Sequence, residues 1–127
     1  MSKAILVKSD MQLSVIDFDE SNSYEIIKEA VGGWIDCVRL PDYHCDMWIN
    51  DEGKLEGLPA NPIGSVLYST LGGDWIAGDI IITGGIDDEG NTIGLSDELC
   101  NLLENMVEVI IDHLISAIQA ENEEETV

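Results

Sequence analysis

Glu104, Glu108 and Asp112 recur every four residues within a stretch of helical periodicity. A four-residue step sets successive carboxylates roughly 6 Å apart along the helix axis. That is close to the separation of successive phosphates along a nucleic-acid strand. Such a row can pair with the arginines and lysines by which proteins hold DNA or RNA. Asp97 and Glu98 extend it at the helix N-terminus, where the helix dipole favours acids. Glu121, Glu123, Glu124 and Glu125 prolong it beyond the other end, and Asp87, Asp88 and Glu89 form a further acidic set in a turn. Trp48 and Trp75 are the candidates for an apolar anchor within such a surface, with a core role expected of at least one of them. The plainer reading is a solvated helix face. Like charges four apart are mildly destabilising, however, and a merely solvated face ordinarily mixes in lysine.

Here lysine is missing altogether. From Leu55 to Val127 the chain holds fifteen carboxylates and neither lysine nor arginine. All five cations (Lys3, Lys8, Lys28, Arg39, Lys54) lie in the first 54 residues, beside eleven acids, and the net charge is −21. A field of one sign opposes contact with nucleic acid or anionic lipid and favours basic proteins.

Other chemistries find little support. The turns Asp51-Glu52-Gly53 and Asp87-Asp88-Glu89-Gly90-Asn91 invite calcium, but an EF-hand loop places an acid five residues before its glycine, and those positions hold Trp48 and Gly85. They read as plain hairpin turns. Cys37, His44, Cys45, Cys100 and His113 offer no pair at structural-zinc spacing, so no metal is expected and the thiols read as small buried apolar groups. His113 reads as a helix-edge residue. Nucleophile elbows and G-x-x-x-x-G-K loops are absent. Gly72-Gly73 and Gly84-Gly85 lack the strand-to-helix context of a dinucleotide site. The expectation is a protein that is not an enzyme and uses no cofactor.

The elements that must position these groups follow from pattern. Ala4–Lys8 and the alternating Gln12–Phe18 predict a hairpin around Ser9-Asp10. Ser21-Asn22-Ser23 opens a helix through Val31, which Gly32-Gly33 ends. Strands are predicted over Trp34–Leu40, His44–Asn50 and Trp75–Thr83, with a turn at Asn50–Gly53 whose glycine is expected at positive φ. Asn61-Pro62 opens a short helix to about Thr70. Ser96 caps a long amphipathic helix to about Ala120, followed by an acidic tail over 121–127 that is expected to fray. Its apolar positions cover more than one flat sheet needs, which predicts deep burial or a second partner such as another copy of the chain. Together these give one α+β domain over 1–120: a small, mostly antiparallel sheet, a short N-terminal helix, a short middle helix, and the long C-terminal helix packed on it.

At 127 residues and 45% apolar content the chain has material for one core and is not disordered in composition. MSKAILVKSD shows no leader pattern, no run is long enough to span a bilayer, and three cysteines without framework spacing suit a reducing compartment. A cytoplasmic protein is expected.

Val31-Gly32-Gly33-Trp34-Ile35, the segment Asn50-Asp51-Glu52-Gly53-Lys54-Leu55-Glu56-Gly57-Leu58-Pro59-Ala60-Asn61, and Ile76-Ala77-Gly78-Asp79-Ile80-Ile81-Ile82 occur in that order. The stretch from about Ala4 to Glu98 resembles the domain-of-unknown-function family numbered 3846, small proteins of phages, plasmids and other mobile elements. The family brings no catalytic residues to transfer. It implies a setting, the cytoplasm of an infected bacterial host, and in that setting Gly53, Leu58, Pro59, Asn61 and Gly78 are either binding residues or turn formers.

Charge and resemblance together predict a non-enzymatic, DNA-mimic-like inhibitor. It would occlude a basic nucleic-acid-handling host protein (a nuclease, a glycosylase or a polymerase) without touching nucleic acid or membrane itself. Two alternatives are an oligomeric sponge for a nucleotide immune signal, disfavoured by the lack of cations for phosphate, and an accessory protein whose acidity serves solubility alone.

Overall fold

Five short runs of alternating or β-branched residues build one antiparallel sheet: β1 (Ser2–Val7), β2 (Leu13–Phe18), β3 (Ile35–Leu40), β4 (Cys45–Asn50) and β5 (Ile80–Gly84). Three α-helices accompany them, α1 (Ser23–Val31), α2 (Pro62–Ser69) and α3 (Asp97–Glu125). The computed structural model describes the backbone of residues 2–125 and the side chains of residues 2–121. Thr126 and Val127, and the side chains of Glu123, Glu124 and Glu125, lie outside the described residues. The α+β architecture is the one the sequence predicts, with α3 running on to Glu125 where a boundary near Ala120 is expected.

The strand order is β2-β1-β5-β4-β3. Hairpins β1–β2 and β3–β4 are local; β5 enters between them and pairs with β1 (Ile5 opposite Ile82) and with β4 (Met47 opposite Ile82). Side chains alternate across a strand, so Ile5, Val7, Met47, Ile80 and Ile82 face one layer while Ala4, Ile81 and Trp48 face the other. Helices α2 and α3 cover the first face with Ile63, Leu67, Cys100, Leu103 and Val107. Helix α1 covers the second with Ile27 and Val31, beside Phe18 of β2. Central and covered on both sides, β5 is buried along its whole length, which is why it reads as a continuous apolar run. Each fully buried Leu, Ile or Phe here contributes about 1.5–3 kcal/mol relative to exposure.

Chain turns follow residue chemistry. Gly32 (φ +78°) sits left-handed past the end of α1, its N–H donating to the Lys28 carbonyl. The Asn61 carboxamide oxygen caps α2 by accepting from Gly64 N at 3.0 Å, and Pro62 takes the first helical position.

Two local expectations are corrected. The strand predicted from Trp75 begins only at Ile80, because Gly78 at φ +91° breaks the extended run and leaves a single bridge between Ala60 and Ala77. Gly53 is not the positive-φ residue of its turn; Gly57 is (φ +72°). Glycine is required at 53 by proximity: a Cβ there would lie 2.8 Å from the Ala77 carbonyl oxygen.

Candidate functional site

Helix α3 presents the acidic row. Ser96 caps it, its hydroxyl accepting from Leu99 N at 3.2 Å, and Asp97 and Glu98 occupy the first turn. Cys100, Leu103 and Val107 are buried against the sheet, and Ile110 and Leu114 are half-buried further along the same side. Glu104 is half-buried beside this stripe; Asp97, Glu98, Glu108 and Asp112 are exposed. Each four-residue step advances about 40° around the helix, so Glu104, Glu108 and Asp112 fan outward from the core edge instead of running straight. Asp97 falls within that fan, and Glu98 lies well outside it.

The cations do little to offset this field. Lys3 is paired with Asp17, and the hydrogen bond and charge of Asp17 raise the Lys3 ammonium above its ordinary range, with Asp97 adding to the effect. Asp17 is held correspondingly low by Lys3. Arg39 Nε lies 2.9 Å from buried Asp46 Oδ1, an oxygen that has no hydrogen-bond donor of good alignment. Lys54 pairs with Asp74 at 3.2 Å and stands 4.6 Å over the Trp75 ring; Lys28 stands 4.8 Å over Trp34 and 5.8 Å over Tyr24. Four of the five cations are thus engaged within the chain.

The turn acids divide. Asp87 is a turn builder: its Oδ1 accepts from Glu89 N at 2.9 Å and Asn91 N at 2.8 Å, and these amides, that of Asn91 foremost, hold its carboxyl below the usual carboxylate range. Asp88 and Glu89 are exposed, with no such commitment among the bonds of this turn. Between this turn and α3 the chain is pinned by Leu95, which exchanges backbone hydrogen bonds with Lys3. Among the described residues no three His, Cys, Asp or Glu side chains converge to hold a metal.

The tryptophans divide too. Trp48 packs against the layer beneath α1 and donates from Nε1 to Thr83 Oγ1 at 2.9 Å, so it is a core residue and not an exposed anchor. Trp75 is 44% exposed and lines a cleft of about 430 Å³ with Ile49, Lys54, Leu55, Tyr68 and Ile76. Among the described residues, sequence reasoning missed the two most exposed large apolar ones, Leu55 at 89% and Trp34 at 62%. Leu55 had a signal: it is an isolated apolar residue in a turn of charged residues and glycine. Trp34, assigned by pattern to a strand, stands just before it, propped by Lys28. Of the thiols, Cys45 and Cys100 are buried as expected, but Cys37 is not: it is exposed on the edge strand β3. Local desolvation, then the charge of Asp46, pushes Cys37 up to about 11 and Cys45 up to about 12. Thiols so disfavoured as thiolates are poor nucleophiles.

A family model described as a domain of unknown function, DUF3846, matches residues 1–108. The chain belongs to the DUF3846 family. The match reaches further than the motifs alone suggest, taking in α3 through Glu108, so Glu104 and Glu108 fall within the DUF3846 region and Asp112 beyond it. No curated protein and no solved structure matches the chain. Among the described residues no helix is long and apolar enough to cross a membrane.

Proposed function

We propose that this DUF3846 protein is a non-enzymatic inhibitor of phage type that occupies the basic nucleic-acid-binding surface of a host protein, its α3 carboxylates standing in for phosphates. The observation that carries the reading is the charge of α3: nine acids and no lysine or arginine in 29 residues, in a chain whose other cations are mostly paired in place. Exposed carboxylates fixed on a rigid helix steer a cationic partner and set its register, and they act chiefly on association rate and selectivity. A tight interface also needs an exposed apolar residue as its desolvated centre; Trp75 and Leu55 are exposed and share a cleft with Ile49 and Tyr68, whereas Trp48 packs beneath α1.

The test is capture of proteins from a bacterial lysate on the immobilised chain at low salt, followed by elution in rising salt. A specific nucleic-acid-binding protein should elute sharply, compete with added DNA or RNA, and fail to bind Glu104→Lys/Glu108→Lys. Capture that is indifferent to salt, or that survives this double reversal, refutes the reading.

A further inference from the structure

Helix α3 outruns the sheet it packs on. Its 29 residues span about 43 Å, whereas a six-residue strand spans about 20 Å. Burial ends accordingly: Val107 is its last fully buried residue, Leu114 is its last half-buried one, and residues 115–121 are all exposed. The sequence does not turn polar where burial stops. Ile111, Leu114, Ile115 and Ile118 follow at i, i+3, i+4 and i+7 and continue the core stripe into solvent, with Ile115 40% and Ile118 50% exposed. Glu108 and Asp112 border this ridge on one flank and Glu121 on the other, and no lysine or arginine interrupts it.

We propose that the protruding end of α3, Ile111 to Glu121, is a docking ridge for a cationic amphipathic helix of a partner protein. The inference rests on the reading above that the partner is basic, and assigns where and by what element it is gripped. Apolar side chains of the incoming helix pack on the ridge, and its flanking lysines or arginines meet Glu108, Asp112 and Glu121, the e/g-like arrangement that selects partners in paired helices. Charge decides between occupants. A second copy would set the nine acids of α3 against nine more with no cation on either helix, a like-charge contact that disfavours self-pairing.

The probe is a fluorescent 21-residue peptide with leucines at i, i+3, i+4, i+7 and lysines elsewhere, compared with a scramble of the same composition. Binding is read by anisotropy at about 50 mM and about 300 mM salt, and located by amide hydrogen exchange. The amphipathic peptide should bind at least about tenfold tighter than the scramble and protect the end of α3, and Ile115→Ser/Ile118→Ser should abolish that preference. Both substituted side chains are exposed, so unchanged circular dichroism confirms an intact fold. Equal binding of the scramble, or protection elsewhere, overturns the proposal. So does a dimer in sedimentation at about 50 mM salt that the serine pair dissolves, since a second copy would then cover the ridge. The two readings fail separately. A captured lysate protein that is lost with Glu104→Lys/Glu108→Lys but retained by Ile115→Ser/Ile118→Ser leaves the inhibitor standing and refutes the ridge.

Discussion

Replacing Asn61 by alanine should unseat three parts of the fold together. Asn61 is fully buried; its Oδ1 accepts from Gly64 N at 3.0 Å, and its Nδ2 donates to Val7 O and Gly78 O, each at 3.0 Å. One carboxamide therefore caps α2, ties down the end of β1, and holds the left-handed turn that delivers the chain into β5. Loss of a cap costs about 1 kcal/mol, and each buried carbonyl stripped of its donor costs about 1 kcal/mol or more. The sum is about 3 kcal/mol, a large share of the roughly 5–15 kcal/mol that stabilises a domain. At about 3–5 °C per kcal/mol for a chain of this size, the melting temperature should fall by about 10–15 °C. Urea unfolding followed by far-ultraviolet circular dichroism should show a lower midpoint with an unchanged slope. Asn61→Asp separates the roles: it keeps the capping acceptor but turns a carboxylate oxygen toward two carbonyls, so at neutral pH it should be at least as damaging as alanine. A loss below about 1 kcal/mol for Asn61→Ala, or an aspartate milder than alanine, would refute this account.

Three further outcomes are expected. Arg39→Met leaves the buried Asp46 carboxylate without its cation, which should cost about 2 kcal/mol after allowance for the exposure of Arg39. Adding Asp46→Asn should recover part of that loss in the same urea assay. Cys37, exposed on β3 but with its thiol pushed up to about 11 by local desolvation and by Asp46, should react with a disulfide reagent at pH 8 far more slowly than a free thiol. It carries on the order of 100-fold less thiolate, and an ordinary rate there would refute the assignment. Asp87, held low by the Asn91 and Glu89 amides, contributes stability above the unfolded carboxylate pKa and loses it as pH falls through the lower folded value. Asp87→Ala should therefore lower the melting temperature at pH 7, with a gap from the parent chain that narrows as pH falls below the ordinary carboxylate range; a gap that widens on acidification contradicts the turn geometry.

Local signals carried most of the fold. The caps at Asn61 and Ser96, the terminator at Gly32 and the alternation in β2 and β4 are decided by neighbouring residues, so the elements appear where pattern places them. What pattern cannot supply is the environment set by distant chain. Trp48 and Trp75 sit in similar strand-like sequence, yet one packs half-buried beneath α1 and is bonded to Thr83 while the other faces a cleft, because that outcome depends on β5 lying beside β4. Gly53 is read from sequence as a turn glycine, and the true constraint is a carbonyl 24 residues away, at Ala77. For the candidate surface, the acids of α3 were legible by spacing, whereas the end of burial at Leu114, which exposes Ile115 and Ile118, requires knowing how short the strands beneath it are.

The insertion of β5 between two ready-made hairpins also governs the order of assembly. Hairpins β1–β2 and β3–β4 close over short loops, but the sheet that joins them waits for a strand about seventy-five residues after β1, as the pairing of Ile5 with Ile82 makes plain. Until residues 80–84 leave the ribosome, the inner edges of both hairpins stay unpaired and the apolar faces meant for α1, α2 and α3 have no common floor. Even then the face packed by Cys100, Leu103 and Val107 stays open until α3 follows β5 out, and the carboxylates of the unfinished chain repel neighbouring copies in the meantime.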